Sequence, residues 1–543
     1  MSSIDWIVLI VTLSVIIIYG VYKSRSTKNL DGYFLSNRDM PWYLVLLSIM
    51  GTQASAITFL SAPGQAYTDG MRFVQYYFGL PLAMIVICIV FVPVFNRLKV
   101  YTAYEFLENR FDLKTRTLTS FLFQVSRGLS TGISIYAPSL ILSSLLGWNI
   151  YYTNIIMGGL LIIYTVSGGA KAVAHTQKLQ LIIVVAGMVV AGYLVVHLMP
   201  DNIGFSDALH IGGRNGKMNI ITSGRNAEGF DWKDKYNIWS GVIGGFFLAL
   251  SYFGTDQSQV GRYLTAKSNR QSKLGLLING FVKVPMQFLI LMLGVLVFSF
   301  YQFHKAPIYF NDTQIYLAKE TSYKDSLIAL ESNYAQVPQG EVLQKNVLRN
   351  EYKNILSKAL PLEDINDTNF IFLRFVIDYL PKGLIGLLIA VIFLSAWGSI
   401  AAALNALSSC TVVDIHKKFF KKDLTEKMDY RISKVYTFFW GIFCIAVAEF
   451  ASNLGNSLIE TVNILGSLFY GVILGIFLVA FWFRQIKANA IFYAALISEI
   501  FVIIIYKANV ISFLWLNVIG ALLVITVGYI LQVFIKTDKQ LNN

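Results

Sequence analysis

Mostly apolar runs of about 18 residues or more recur between polar loops, a length that crosses a bilayer core of about 30 Å as a helix. They lie near 5–22, 43–62, 72–96, 118–146, 149–167, 178–199, 237–257, 274–303, 383–413, 433–451, 457–483, 488–506 and 511–534. The pattern predicts an all-α polytopic membrane protein with about thirteen transmembrane helices. Two longer polar stretches interrupt the rhythm. Segment 200–236 is rich in Gly, Asn and Asp, and segment 304–367 contains amphipathic runs such as DSLIALESNYAQ that predict a small helical insertion. The insertion reads either as a lid or partner surface or as an accessory tolerated between two spans.

Composition agrees. Of 543 residues, 55% are hydrophobic and 14% charged, with a mean hydropathy of +0.58, whereas a soluble domain carries about 25% charge. An ordinary soluble enzyme is excluded. The net charge of +13 lies mostly in alternate loops and is read as topology, with no nucleic-acid partner. Lys23, Arg25, Lys28 and Arg38 fall in one loop, Arg97, Lys99, Arg110, Lys114 and Arg116 in another, and Lys417, Lys418, Lys421, Lys422, Lys427, Arg431 and Lys434 in a third. Loops 147–148 and 452–456 carry no Lys or Arg. The positive-inside rule then places the N-terminus outside and the C-terminus in the cytoplasm. No Lys or Arg precedes the first apolar run, which therefore reads as a retained span and not a signal peptide.

Several chemistries find no support. Cys88, Cys410 and Cys444 lie inside apolar segments, and the five histidines form no HExxH pair, so neither a disulfide framework nor a Cys/His metal site is readable. The run GGRNGKM, residues 212–218, lacks the spacing and the Ser/Thr of a phosphate-binding loop, which argues against an ATP-driven pump. No constellation of His, Asp or Glu suggests an enzyme.

Two spans carry small and polar residues where hydrocarbon favours Leu. The second contains Gly51-Thr52-Gln53-Ala54-Ser55-Ala56, followed by Pro63-Gly64; the seventh contains Gly241, Gly244, Gly245 and then Tyr252-Phe253-Gly254-Thr255-Asp256. A bilayer tolerates unwound backbone only where protein or a cavity satisfies the freed carbonyls, and transporters coordinate cations at such breaks. Small residues alone also serve helix packing, but two interrupted segments five spans apart predict an inverted repeat of spans 2–6 and 7–11. In the ninth span Ser395 and Ser399 share one helical face. Their hydroxyls, with carbonyls of a broken helix, would form an oxygen cage suited to Na⁺.

At these residues the chain resembles the sodium:solute symporter family. The segments YFLSNRDMPWYLVLLS, TAYEFLENRF, YTVSGGAKAV, GRYLTAKS and LNALSSCTVVDI carry the resemblance in order over nearly the whole chain. It implies a LeuT-like five-plus-five inverted-repeat transporter, with Na⁺ as coupling ion and no other cofactor. It implies a sodium site on the carbonyls of Gly51, Ala54 and Ser395 and on side chains at 398 and 399. Position 399 is Ser, but position 398 is Gly, which removes one usual oxygen. His175-Thr176-Gln177 stands where the family commonly has Trp-Thr-Asp, so a second sodium held by a carboxylate at 177 is not expected.

The resemblance places substrate-binding positions at Gln53, Thr58, Tyr77, Arg127, Tyr252 and Lys283. Thr58, Tyr77 and Ala249 replace hydrogen-bonding residues of the sodium/galactose pattern, which argues against a sugar. Residues 130–148 look most like the vitamin, iodide and monocarboxylate branch. Arg127, an ionisable residue inside the fourth span, reads either as a grip on a substrate carboxylate or as half of a structural pair. Lys283 reads either as a substrate contact or as half of an internal ion pair, and Arg72 as a surface residue.

The expected function is a sodium-coupled symporter importing a small organic solute, an anion or carboxylate, by alternating access. A symporter of sugars or other neutral solutes is the alternative, and a membrane transceptor or sensor the alternative of another class. The expected organisation is 1–42, first helix and cytoplasmic loop; 43–199, first repeat; 200–236, outside loop; 237–483, second repeat with the insertion 304–367; and 484–543, two C-terminal helices and a cytoplasmic tail. The expected partners are the solute, Na⁺ and the lipid bilayer, with no oligomeric state readable. The absence of outside cysteine pairs points to a bacterial inner membrane, although Asn311-Asp312-Thr313 and Asn366-Asp367-Thr368 match a glycosylation pattern.

Overall fold

A computed structural model describes residues 1–24, 30–361, 365–420, 425–451 and 458–541. Arg25, Lys28, Lys421, Lys422 and the loop 452–456 lie outside the described residues. The chain is almost wholly helical, as a backbone must be when no water is present to satisfy its N–H and C=O groups. Among the described residues nine helices are long and apolar enough to cross a membrane, and four shorter apolar helices, Ser3–Ile16, Trp42–Gln53, Ile150–Val166 and Ser240–Gly254, complete the expected set.

Leaving aside short helices such as Leu30–Leu35 and Glu105–Arg110, the helices in chain order are α1 (Ser3–Ser24), α2 (Trp42–Gln53), α3 (Ala56–Asp69), α4 (Leu80–Val86), α5 (Val92–Leu98), α6 (Leu113–Leu146), α7 (Ile150–His197), α8 (Phe205–Arg214), α9 (Gly245–Gly254), α10 (Gln257–Tyr263) and α11 (Asn269–Phe300). The insertion supplies α12 (Asp312–Lys319), α13 (Lys324–Gln336) and α14 (Val342–Ala359). Then follow α15 (Thr368–Tyr379), α16 (Leu384–Cys410), α17 (Glu426–Glu449), α18 (Leu458–Trp482), α19 (Ala488–Ala508) and α20 (Phe513–Leu541).

Both interrupted spans are broken. Between α2 and α3 the backbone of Ala54 (φ −81°, ψ 71°) and Ser55 (ψ 171°) leaves the helical region. The Thr58 hydroxyl recovers one freed acceptor by donating to the Gln53 carbonyl at 3.3 Å. Between α9 and α10 the break falls at Thr255–Asp256, where the Asp256 carboxylate caps α10 by accepting from the Ser258 N–H at 2.8 Å. Pro63-Gly64 breaks nothing: α3 runs through it. Gly64 instead lets the Thr368 carbonyl of α15 press against α3, and Gly294 of α11 does the same for the Pro63 carbonyl.

The loop expected between the fifth and sixth spans is helical, because Ile150–His197 forms one continuous helix. That stretch holds Gly168 and Gly169 but no proline to forbid a helix. Segment 200–236 holds α8 and a hairpin of two short antiparallel strands, Arg225–Asn226 and Gly229–Phe230. The insertion has its own small core of Tyr309, Leu327, Leu330, Tyr352 and Leu356. Helix α16 is buried along its length, packed against α1, α2, α3, α6, α7 and α17, which accounts for a sequence that is apolar all round.

Candidate functional site

The two helix breaks face one cavity of about 140 Å³ between the repeats. Its wall brings together all six expected substrate positions: Gln53 and Thr58 from the first break, Tyr77 from the start of the third span, Arg127 from α6, Tyr252 from α9 and Lys283 from α11. Ser399 of α16 reaches the same wall, and Tyr76, Asn463 and Tyr470 add to its polar part, with hydroxyls of Thr52, Ser55, Thr131, Ser134 and Ser258. Gly51, Ala54, Ser395 and Gly398 do not line it.

The two cations on this wall differ. Arg127 is ion-paired with the buried carboxylate of Asp256 and donates to the Tyr470 hydroxyl at 2.8 Å, while that hydroxyl donates to Asp256 at 2.8 Å. Its guanidinium also lies over the Tyr252 ring, 5.3 Å from the centroid. Of the two readings open for Arg127, the structure favours the structural pair. Asp256, already the cap of α10, thereby ties α6 to the break in the seventh span.

Lys283 has no such partner. It is 1% exposed, and its ammonium makes no hydrogen bond or ion pair among the described residues. Its ammonium lies over the Tyr77 ring, 5.5 Å from Nζ to the centroid. Around the cavity the Gln53 Oε1, Arg127 Nε and Asn463 Nδ2 atoms are buried without a hydrogen-bond partner, and Asn463 spends its carbonyl on the Tyr76 hydroxyl at 3.0 Å. A buried cation and several unpaired polar atoms around one void are costly unless a ligand pairs them. The deficit is in negative charge.

The expected sodium positions lie where α2, α7 and α16 meet. The Ser395 hydroxyl donates to the Ile392 carbonyl at 2.8 Å, and the Ser399 hydroxyl to the Ala396 carbonyl at 3.0 Å. Both oxygens keep lone pairs free to face a cation. Gln177 of α7 accepts from the Ser48 hydroxyl at 2.8 Å and donates to the Thr52 hydroxyl at 3.2 Å and the Gly398 carbonyl at 3.0 Å. A Cβ on Gly398 would lie 2.5 Å from Gln180 Oε1 and 3.1 Å from Gln177 Cγ. A Cβ on Gly51 would meet Gln177 Cβ at 2.9 Å. The departures at 177 and 398 are therefore one local rearrangement, with glutamine side chains filling the space that a side chain at 398 would take.

Asp256, Asn463 and Tyr470 were not singled out as site residues from the sequence. Asp256 had a signal: a carboxylate beside a helix break, in a chain with an unmatched Arg127 in another span. Asn463 and Tyr470 sit in an ordinary apolar run and had none. Arg72, expected as a surface residue, is instead in a part-buried ion pair with Asp234 at 2.5 Å, the two side chains 34% and 14% exposed. All three cysteines are buried and free.

The model of the sodium:solute symporter family matches residues 33–320 and 351–498. The sodium-coupled monocarboxylate transporter 1 of Xenopus laevis is 27% identical over 466 residues, which cover 86% of this chain and 65% of that protein. The sodium/sialic acid symporter of Proteus mirabilis is 25% identical over 543 residues, 99% of this chain and 97% of its own. In three dimensions the chain is similar to a Na⁺-coupled sialic acid symporter solved in a substrate-bound outward-open state, with a TM-score of 0.79 at 24% identity and 98% of each chain covered. The five-plus-five fold expected from the two broken spans is that of the solved symporter.

Proposed function

Because the chain belongs to the sodium:solute symporter family, we propose that it couples inward sodium movement to uptake of a small organic carboxylate, with Lys283 as the residue that receives the carboxylate. The observation that carries this reading is the buried ammonium of Lys283, without an anionic partner among the described residues, on the wall of the central cavity. Arg127 is already neutralised by Asp256, so it positions the α9–α10 break and the Tyr252 ring and does not grip the substrate. The Asn463 amide is placed to donate to a second oxygen, and Tyr76, Tyr77 and Tyr252 offer apolar faces to the rest of the solute.

Coupling follows from the shared helix break. Sodium held by the carbonyls of Gly51, Ala54 and Ser395 and by the Ser399 hydroxyl orders the end of α2, while Gln53 and Thr58, in the same break, face the solute. A ligand shifts a conformational equilibrium only by its differential affinity for the two states, and this geometry makes each ligand stabilise the backbone the other needs. Each Na⁺ moving inward contributes about 2.3 kcal/mol per 100 mV of membrane potential. The basic loops face the cytoplasm and the insertion faces outside, with the N-terminus outside, in a bacterial inner membrane. Residues 43–199 and 237–483 form the two repeats.

The test is uptake into proteoliposomes against a panel of carboxylates, sugars and amino acids, with an inward gradient of NaCl or of choline chloride. A carboxylate accumulated only with sodium is the expected result, and Lys283→Gln raises its KM about 10- to 100-fold, as loss of a charge-assisted bond of about 1.5–3 kcal/mol requires. Uptake at full rate in choline rejects sodium coupling. A neutral sugar transported equally well by Lys283→Gln rejects the carboxylate reading.

A further inference from the structure

A second cavity, of about 360 Å³, lies where the insertion meets the ends of α3 and α11. Four cations line it: Lys217 from the loop after α8, and Lys345, Arg349 and Lys353 from α14. Two of them are spoken for, since Arg349 and Lys353 pair with the two oxygens of the buried Asp367 at 2.8 and 2.7 Å. The other two have no carboxylate partner among the described residues. Lys345 is 9% exposed and donates only to the Gln339 amide oxygen at 2.6 Å, and Lys217 donates to the Thr68 carbonyl. Asp69 lies near Lys217 but accepts from the Gln65 amide.

The remaining wall is aromatic. Tyr67, Phe298, Tyr301 and Tyr334 line it, and the Tyr301 hydroxyl is buried without a hydrogen-bond partner. We propose that this cavity is a second binding site, separate from the central one, for a small organic carboxylate: Lys217 and Lys345 take the carboxylate, the Tyr301 hydroxyl supplies a further bond, and the rings cover an apolar body. Lys345 and Arg349 fall in 321–350, between the two segments that match the family, whereas Lys217, Tyr301 and Lys353 fall within them, so the insertion completes the site. Burial pushes both ammonium groups below the ordinary lysine range, Lys217 against the opposing pull of Asp69. An anion between them relieves that desolvation.

The test uses the purified full chain in detergent and 4-fluorobenzoate as probe, read by ¹⁹F line broadening against detergent alone in low-chloride buffer. The central cavity is disabled in Lys283→Gln so that only the second site is read. Saturable broadening that persists in Lys283→Gln, and weakens at least tenfold in affinity when Lys217→Gln and Lys345→Gln are added, is the expected result. Asn346→Trp, at an exposed wall position, is expected to give the same loss by filling the cavity, with an unchanged melting temperature as the check on folding. Broadening that vanishes in Lys283→Gln alone, or that survives at unchanged affinity in both the double variant and Asn346→Trp, overturns the proposal. So does a wild-type chain that shows no saturable broadening.

Discussion

The side-chain amide of Gln177 donates to the main-chain carbonyl of Gly398 across 3.0 Å, joining α7 to α16 beside the break in α2. The same amide group holds Ser48 and Thr52 of α2. One neutral side chain thus braces three helices at the expected sodium positions, where a carboxylate would bring a charge. Sodium seated at the expected positions would meet only neutral oxygens there.

Gly398 is glycine because Gln177 and Gln180 occupy the space its side chain would need. Gly398→Ser therefore lowers the melting temperature of the detergent-solubilised protein, at a cost of about 1–3 kcal/mol for overpacking. Adding Gln180→Ala removes the atom that the new Cβ would meet and recovers part of the loss. A Gly398→Ser chain that melts with the wild type would show that the two glutamines move aside freely.

Gly64 supports a close approach of a different kind. A Cβ there would collide with the Thr368 carbonyl, a main-chain atom in a buried helix that has no rotamer to escape into. Gly64→Ala is expected to separate α3 from α15 and to cut expression and thermal stability more than Gly159→Ala, a substitution that meets open space within α7. Equal melting temperatures for the two variants would contradict this packing.

Much of this architecture was legible in the sequence, and the reasons differ by feature. Spans are written in long apolar runs, and the breaks in small polar residues at depths where only a cavity tolerates them. The six substrate positions came from resemblance, and the fold gathers them around one void. Partnership was not legible: nothing in the local sequence of Arg127 says that Asp256, 129 residues away, takes its charge, or that Lys283 has no such companion. Nor did the departures at 177 and 398 read as one event, because their link is a contact between α7 and α16. Nor does Pro63, next to the first break, say that the helix runs through it; the close approaches at Gly64 and Gly294 are visible only in the fold.

Docking of the insertion depends on pH through Asp367. Burial raises the pKa of its carboxyl, but Arg349, Lys353 and the Phe310 N–H at 3.1 Å outweigh burial and hold it below the ordinary carboxylate range. A group whose folded pKa is depressed contributes stability above its unfolded pKa and loses it as pH falls through the folded value. The protection of α14 amides, after correction for the intrinsic exchange rate at each pH, is expected to be unchanged from pH 7 to about 5, since an unfolded Asp titrates near 3.9, and to fall only below about pH 4. Asp367→Asn should show the faster exchange already at neutral pH and no further acid step. Loss of protection in the wild type between pH 7 and 5 would place the titrating group elsewhere.

The Arg127–Asp256 pair makes the sharpest distinction between structural and substrate-binding cations. The Asp256 side chain is fully buried and that of Arg127 is 12% exposed, so removing either partner strands a charge in a low-dielectric interior, at a cost of about 3–5 kcal/mol. Arg127→Ala leaves Asp256 with only Tyr470 and its capping bonds, and Asp256→Ala frees the guanidinium and uncaps α10. The double variant strands neither charge. In a double-mutant cycle read by thermal unfolding, the joint loss is therefore expected to fall below the sum of the single losses by about 1.5 kcal/mol or more. A cation proposed to bind substrate should behave otherwise: Lys283→Gln, which removes a charge with no anionic partner among the described residues, is expected to leave the unliganded melting temperature level or higher while losing the stabilisation conferred by added substrate. Strict additivity of Arg127→Ala and Asp256→Ala, together with loss of substrate stabilisation in Arg127→Ala at an unaltered unliganded melting temperature, would exchange the roles of the two cations.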